Sequence, residues 1–580
     1  MTDSADDPTA RLAMRDSVEG PRNIRVPVVV IACSFGPDDF AGPHPRRARH
    51  LDGVERIAAA FEVSDPVVWE GDRAWLLFRP NKRVIDAWKV ALELWKRSAL
   101  ELNLPTRVAV LFGRVDSEGS GSVREEDSRD AHALLDHAHT TEGVVNASEE
   151  IALSLPRDQR NALAWSGITG AGQHVYTFPA DSPPDSAQHQ ESPLALWTDF
   201  EAYALSPEIR EVHYVGFRLP RRAPPVLDLL DVFVVPAAAA HRQEGSHEPE
   251  SVLNAQSLSQ LELTASPLHA WLRRTQHLVV LGEPGSGKTT LLKWLAIVAA
   301  HGEWADLTGE MGPKLPILLS VGRLSECLVS DNQSYPEAIA RYFEITDSAT
   351  ASAVRSFLDN QLRLGRCAVL LDGLDEVQAK NRALVEAWLR DFAAEFPRNT
   401  FVTTSRFVGY SGVRLPNDAT VVQLAPLDAR GREQFVRAFT RAYTTWETGE
   451  NRPHDAKVQA DLLLTAIGAS ERLSALATNP FMLSALALIH RAEGRLPRHR
   501  VQAYQMFVRA LCETWTEARR LVPGIEPRED TAAVAYEEEA IPVLGELALE
   551  MHERYPRGVA PTEVVQRTIA DALTAREENE

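Results

Sequence analysis

A glycine-rich segment at residues 278–290, LVVLGEPGSGKTT, has the residue types and spacing that bind phosphate. It fits the pattern G-x-x-x-x-G-K-[ST], in which glycines allow a tight loop whose backbone N–H groups face phosphate oxygens. The lysine reaches the β- and γ-phosphates, and the threonine hydroxyl ligates Mg²⁺. An apolar strand is predicted before the loop, and the positive end of the helix predicted after it faces the same anion. The predicted nucleotide-binding residues are Gly282, Glu283, Pro284, Gly285, Ser286, Gly287, Lys288, Thr289 and Thr290.

Acidic residues follow a second apolar strand, in CAVLLDGLDEV at residues 367–377. Asp372 ends that strand, where a carboxylate can hold the Mg²⁺ shell, so Thr289 and Asp372 are the predicted metal ligands. Asp375 or Glu376 could orient or deprotonate the attacking water. A strand in NTFVTTSRFVGY ends beside Arg406, which we expect near the γ-phosphate. These four residues after the phosphate loop, Asp372, Asp375, Glu376 and Arg406, are the predicted catalytic set.

The composition is that of a large globular protein and limits its partners. With 580 residues, the chain is long enough for about four domains of ~150 residues. The net charge of −20 argues against a dominant, sequence-independent grip on nucleic acid. The four cysteines form no CxxC pair, so we expect neither a structural zinc nor a disulfide framework. No secretory signal and no apolar run of ~20 residues is found, so we expect a cytoplasmic protein without a membrane partner.

Polar breaks and the alternation of predicted elements divide the chain. Strands and helices alternate from Ile24 to the linker PADSPPDSAQHQESP at residue 179, and alternate again from Leu261. From Asp428 onward every predicted element is a helix. The predicted order is a disordered tail (1–24), an α/β domain (25–180), a connector (181–260), a phosphate-loop core (261–427), a helical lid (428–524) and a last segment (525–580).

These motifs, in this order, resemble the NACHT branch of the signal-transduction (STAND) P-loop ATPases. The resemblance rests on DGLDE, on TSR followed by GY, and on LATNPFMLSALALIHRAEGRLP, and it extends from Leu261 to the C-terminus. It implies that Pro480 lies against adenine and that the next helix closes over the nucleotide. It also implies a switch: ADP holds the core closed, an unknown trigger frees it, ATP binds, and the molecules form homo-oligomers that gather effector domains. Hydrolysis would be slow and regulatory, and prokaryotic relatives often serve in antiphage defence.

The C-terminal part departs from that family pattern. Residues 544–573 resemble the opening of a winged-helix segment, and the sequence stops at Glu580. The histidine that touches ADP phosphates in the family is not assigned, because His552 is expected to be an exposed helix residue. The chain is expected to be either a naturally short member or an incomplete one, and its sensor for the trigger is not identified.

Residues 26–179 resemble a class III nucleotide cyclase homology domain. The resemblance rests on WEGDRAWLLF, RVAVLFGRV and TTEGVVNASEEIALSL, and it aligns Asp72 with a metal-binding aspartate. Cys33 and Ser34 stand where the family has its other metal aspartate, and Leu134 stands near an expected arginine. Two-metal chemistry needs two carboxylates at a fixed separation. A degenerate ligand-binding or dimerising module is therefore favoured over an active cyclase, and some other α/β effector is the third alternative.

The expected fold class is multidomain α/β. It has an N-terminal ferredoxin-like or cyclase-like α+β domain, a P-loop NTPase α/β core with a parallel sheet, an all-α helical region and a partial winged helix. The favoured function is an ATP/ADP-dependent switch with Mg²⁺, and the alternative is a nucleotide cyclase regulated by a NACHT core. A transporter or helicase motor is disfavoured by the acidic charge, the lack of membrane segments and the absence of a second motor core.

Overall fold

The computed structural model divides the chain into two compact units. One comprises residues 1–201, 301–315 and 352–357, and the other comprises residues 202–300, 316–351 and 358–580. The described residues are 24–33, 45–61, 67–70, 73–78, 84–101, 106–115, 125–136, 144–155, 157–160, 162–169, 174–178, 193–213, 225–241, 265–310, 312–328, 333–345, 348–410, 419–497, 499, 501–508, 541–555 and 560–577. The predicted tail up to residue 23 lies outside them, as do Ser34, Asp72 and residues 509–540 of the predicted lid and winged-helix segment.

The first unit is built on a seven-stranded sheet. Its strands are β1 (Ile24–Cys33), β2 (Val68–Glu70), β3 (Arg73–Leu77), β4 (Thr106–Val115), β5 (Val144–Ser148), β6 (Ala164–Ile168) and β7 (His174–Phe178). Its helices are α1 (Pro45–Ala60), α2 (Val84–Trp95, continued by a π-helical turn, Lys96–Glu101), α3 (Glu125–Asp136), α4 (Glu149–Ser154), α5 (Arg157–Arg160), α6 (Pro193–Ala204, which runs past the unit's end) and α11 (Trp304–Thr308).

The strand order of that sheet is β2-β3-β1-β4-β5-β7-β6. β1 pairs antiparallel with β3 and β4, and β4 pairs parallel with β5. The first four strands, with α1 and α2, form the β-α-β-β-α-β arrangement of ferredoxin-like domains. The predicted ferredoxin-like α+β fold is therefore confirmed by strand order.

Burial in the first unit follows the apolar runs of the sequence. Val28, Val29, Val30 and Ile31 of β1 are each 0% exposed, because β1 lies inside the sheet with both faces covered. Leu134 of α3 is also 0% exposed and packs in the core with Val28 and Val30, so this position serves packing.

The second unit contains a second seven-stranded sheet. Its strands are β10 (Ala237–Ala240), β11 (Ser266–Pro267), β12 (His277–Leu281), β13 (Leu315–Ser320), β14 (Cys367–Asp372), β15 (Thr400–Ser405) and β16 (Thr420–Leu424), and β8 (Glu211–His213) pairs separately with β9 (Val226–Asp228). The sheet order is β11-β10-β16-β12-β15-β14-β13. β12 is parallel to both β15 and β16, and β14 is parallel to β15. The carboxyl ends of these strands therefore meet at one edge, where ligands bind in open α/β sheets.

Helices surround this sheet and form the region that follows it. Around the sheet lie α7 (Pro207–Arg210), α8 (Leu229–Val232), α9 (Leu268–Leu272), α10 (Lys288–Ala300), α12 (Val321–Cys327), α13 (Tyr335–Tyr342), α14 (Ser348–Leu364), α15 (Arg382–Glu395) and α16 (Phe407–Tyr410). The later helices are α17 (Ala429–Thr448), α18 (Pro453–Gly468), α19 (Glu471–Leu476), α20 (Pro480–Glu493), α21 (501–508), α22 (Ile541–Arg554) and α23 (Thr562–Glu577). We call α17 to α21 the helical lid.

Residues 207–213 and 225–241, which we call the bridging segment, join the sheet to the helical lid. β10 extends the parallel sheet by pairing antiparallel with β16. Leu227 and Val232 belong to the apolar core of the lid helices, together with Phe435 and Leu486. The bridging segment falls within the connector of the sequence-based division, yet its strand and apolar side chains complete the second unit. Among the described residues, no helix has the length and apolar content needed to cross a membrane.

Candidate nucleotide-binding site

The phosphate loop connects the fully buried strand β12 to α10. Gly285 and Gly287 have φ angles of 77° and 91°, a left-handed conformation that glycine adopts without steric cost. A Cβ on Gly282 would lie 2.5 Å from the Ser286 Oγ, so a side chain there would have to displace that hydroxyl. The Lys288 Nζ donates to the carbonyl oxygens of Gly282 (2.8 Å) and Glu283 (3.0 Å).

The loop has unsatisfied polar atoms of the kind that bind an anion. The Ser286 Oγ is buried and has no hydrogen-bond partner among the described residues. The first N–H groups of a helix have no acceptors within it, and α10 begins at Lys288, directly after the loop. Burial lowers the pKa of Lys288 and Arg406 lowers it further, while Asp375 and Asp372 oppose the shift. A phosphate at this position would accept these hydrogen bonds and favour the charged lysine.

The carboxylate at the end of β14 is held in place by the neighbouring strand. Thr404 of β15 is 0% exposed, and its Oγ1 donates to Asp372 Oδ1 at 2.6 Å. The same Oγ1 accepts a hydrogen bond from the Gly373 N–H at 3.1 Å. Thr404 therefore fixes the direction of the Asp372 carboxylate and the turn that follows it.

Gly373 and Glu376 pack against each other in that turn. Gly373 has φ 74°, and a Cβ on it would lie 2.9 Å from Glu376 Cδ. Burial raises the pKa of Glu376, and the nearby charges of Asp372 and Asp375 raise it further. A carboxylate with a raised pKa is a stronger proton acceptor when it is ionised.

Asp375 binds Arg406 through both of its carboxylate oxygens. The backbone N–H of Arg406 donates to Oδ1 at 2.9 Å, and the side-chain Nε lies 3.1 Å from Oδ2. The Asp375 side chain is 13% exposed and that of Arg406 is 54% exposed. Asp375 thus anchors the root of an arginine whose guanidinium extends toward solvent and the cavity.

A cavity of about 450 Å³ lies above these groups. One side carries the phosphate loop from Pro284 to Thr290, the acidic turn and Arg406. The other side is apolar and receives residues from the bridging segment, β16 and the helical lid: Val212, Leu229, Val232, Phe233, Val234, Pro236, Ala425, Leu427, Phe435, Pro480, Phe481, Ser484, Ala485 and Leu488. A polar end beside an apolar slot of this size matches the two halves of a nucleotide.

Phe233 is the aromatic residue of the apolar wall on the bridging segment. Its ring stacks on Trp294 of α10, with centroids 4.8 Å apart and planes inclined by 21°. Lys293 of the same helix donates to the Glu208 carbonyl at 2.6 Å, so the bridging segment is tied to the phosphate-loop helix at two points. Sequence reasoning missed this wall, and the apolar run LDLLDVFVVP was its one available signal.

The structure brings the residues predicted from sequence to this one cavity. Gly282 and Glu283 contribute their carbonyl oxygens to Lys288, and the rest of the predicted set, including Pro480, lines the wall. The donor set of Thr289 hydroxyl and Asp372 carboxylate suits Mg²⁺, which prefers oxygen ligands and keeps several waters. Among the described residues, no group of three His, Cys, Asp or Glu side chains forms a separate metal site. His552 is exposed on α22.

Residues 276–443 match the family model described as the NACHT domain. The chain thus carries a P-loop NTPase domain of this type, as the motifs predict, and the match begins after the bridging segment. A search of curated proteins finds no match.

Two solved structures are similar to parts of the chain. A Walker-type ATPase of Pyrococcus abyssi has 13% identity and a TM-score of 0.26, covering 57% of this chain and 92% of that one. An adenylate cyclase structure from Trypanosoma brucei has 14% identity and a TM-score of 0.21, covering 28% of this chain and 91% of that one.

Proposed function

We propose that this chain, whose residues 276–443 match the NACHT domain, is an ATP/ADP-dependent switch that controls assembly of its N-terminal domain. The observation that carries the proposal is the convergence of phosphate loop, acidic turn, Arg406, helical lid and bridging segment on one cavity. A nucleotide in that cavity would contact the phosphate loop, the helical lid and the bridging segment. The phosphates of the bound nucleotide would therefore set the positions of the helical lid and the bridging segment.

Each polar residue has a part in the proposed reaction. Lys288 and the loop N–H groups bind the β- and γ-phosphates, and Arg406 binds the γ-phosphate. Thr289 and Asp372 would hold Mg²⁺, which neutralises charge on the phosphates. Glu376 accepts the proton of the attacking water, since its pKa is raised and Asp375 is already bound to Arg406.

Slow, regulatory hydrolysis is part of the proposal. The helical lid is hydrogen-bonded directly to the phosphate loop, through Asn479 and Phe481. Product release would require these bonds to open, and lid opening limits the rate of many enzymes. ADP would then persist in the cavity and keep the molecule in its closed form until a trigger acts. A role in antiphage defence is the proposed setting, based on the family resemblance.

The test is nucleotide retention by the purified protein. We expect wild-type protein to copurify with ADP, to hydrolyse ATP slowly with Mg²⁺, and to form larger particles when ATP is added. Lys288→Ala should abolish retention, while Lys457→Ala, which removes a charge from an exposed position on α18 outside the cavity wall, should preserve it. Lys288→Ala protein that still carries ADP would contradict the site assignment.

For the N-terminal domain we propose a ligand-binding or dimerising module without cyclase activity. The ferredoxin-like strand order is compatible with a cyclase, so the activity is tested directly. Purified protein should make no cyclic nucleotide from ATP or GTP in the presence of Mg²⁺ or Mn²⁺. Product formation that is lost in Asp72→Ala protein would overturn this part of the proposal.

A further inference from the structure

Asn479 uses both ends of its side-chain amide, one on the helical lid and one on the phosphate loop. Its Oδ1 accepts from the backbone N–H groups of Phe481 (3.0 Å) and Met482 (3.3 Å), which caps α20. Its Nδ2 donates to the Pro284 carbonyl at 3.0 Å, across 195 positions of sequence. Asparagine can do both because its amide has a donor and an acceptor.

A second hydrogen bond reinforces the same contact. The backbone N–H of Phe481 also donates to the Gly285 carbonyl at 3.2 Å. The first turn of α20 therefore holds two consecutive carbonyl groups of the phosphate loop. Both carbonyls belong to the loop whose N–H groups would face the phosphates, so the loop cannot change shape without disturbing α20.

Gly285 permits this close approach. A Cβ at this position would lie 2.9 Å from Asn479 Oδ1 and 2.9 Å from Phe481 Cβ, and the backbone has φ 77°. Any other residue would strain the loop and push α20 away. The phosphate loop and the first turn of α20 thus pack closely at Gly285.

We infer that Asn479 is the positioning residue that couples the helical lid to the conformation of the phosphate loop, and so sets how long ADP stays bound. The inference rests on the proposed function. Substitutions can remove the bond to Pro284 and still keep the cap on α20. Serine and aspartate also cap helices well, but neither supplies the amide donor. Serine keeps a hydroxyl donor, but its side chain is one bond shorter, and ionised aspartate has no donor, so either replacement loses the amide hydrogen bond to the loop and leaves α20 capped.

The experiment measures ADP dissociation by chasing a fluorescent ADP analogue with excess ATP. Asn479→Ser should speed dissociation about 3- to 10-fold, the effect of losing one net hydrogen bond. Asn479→Asp should speed it at least as much, because a carboxylate oxygen would then face the Pro284 carbonyl. In both variants thermal unfolding without nucleotide should fall only slightly below wild type, since the bond to Pro284 is lost but the cap remains.

Ser470→Ala is the matched control, because Ser470 caps α19 within the helical lid by accepting from the Leu473 N–H. Loss of that cap should lower thermal stability without changing ADP dissociation. Gly285→Ala should speed dissociation, and adding Asn479→Ser to it should have little further effect, since the two residues act through one contact.

The experiment distinguishes failure of the proposed function from failure of the role assigned to Asn479. If wild-type protein binds no nucleotide, the proposed function fails. If wild type binds ADP and both Asn479 variants release it at the wild-type rate, the coupling role of Asn479 is wrong.

Discussion

Replacing Phe233 by alanine should weaken binding of the nucleotide base while leaving phosphate binding intact. Phe233 lines the apolar side of the cavity and belongs to the bridging segment, outside residues 276–443. If the bridging segment forms the wall beside the base, truncating its aromatic side chain removes the surface on which a base would stack.

The size of the effect follows from two contacts. Stacking of a base on an aromatic side chain contributes about 1–3 kcal/mol by alanine substitution, or about 5- to 150-fold in affinity. We expect the lower half of that range, because the ring already stacks on Trp294 at 4.8 Å and stays partly exposed. Loss of that aromatic pair should also lower stability by about 1 kcal/mol.

The assay compares ADP with pyrophosphate by isothermal titration calorimetry. Phe233→Ala should reduce ADP affinity about 5- to 30-fold and leave pyrophosphate affinity within twofold of wild type. Val235→Ala is the control, since Val235 is 39% exposed, lies two residues away and is not part of the cavity wall. Equal losses for ADP and pyrophosphate, or no loss for ADP, would refute the assignment of this wall to the base.

Three further changes test the catalytic side and the first unit. Glu376→Gln should lower the rate of ATP hydrolysis about 100-fold or more and leave ADP affinity nearly unchanged, as single-turnover kinetics and calorimetry would show. Thr404→Val should raise the Mg²⁺ concentration needed for hydrolysis, because Asp372 loses the bond that orients it, whereas Thr403→Val on the same strand should not. In the His50→Gln variant, the free energy of unfolding should fall less than in wild type as the pH is lowered. Burial, aided by Arg97, lowers the pKa of His50 from 6.5 to about 4, so the unfolded chain binds the proton more tightly. Wild type should therefore lose up to about 3 kcal/mol as the pH falls from 6.5 to 4, and urea unfolding should show a smaller loss in the variant; an equal loss in both proteins would contradict this.

The strands and the polar half of the cavity could be predicted because their determinants are local. Of the strands that lead to the site, β12 and β14 are short apolar runs, and Asp372 and Arg406 stand at or directly after a strand end. The phosphate loop needs glycines, a lysine and a hydroxyl within nine positions, so its chemistry is visible in one segment. The ferredoxin-like fold of the first unit is predicted from the resemblance, since the alternating elements by themselves indicate only an α/β domain.

The apolar half of the cavity could not be predicted, because its residues are ordinary core residues in sequence. Val232 and Phe233 differ from other apolar side chains only in where the chain places them, between α10 and α17. β10 is AAAA, a run that carries no strand signal, and it becomes a strand because β16 offers an edge. Position in the fold, and not residue type, makes these residues part of the site.

The separate roles of Asp375 and Glu376 in the acidic turn also could not be predicted from the sequence. By residue type and spacing either carboxylate could act on water, so sequence left the choice open. The structure separates them by their distant partners: Asp375 binds Arg406 through two contacts, whereas Glu376 packs on Gly373 with a raised pKa. Both carboxylate oxygens of Asp375 are already engaged in holding Arg406. The residue that anchors Arg406 is therefore poorly suited to be the base, and Glu376 is the better candidate for that role.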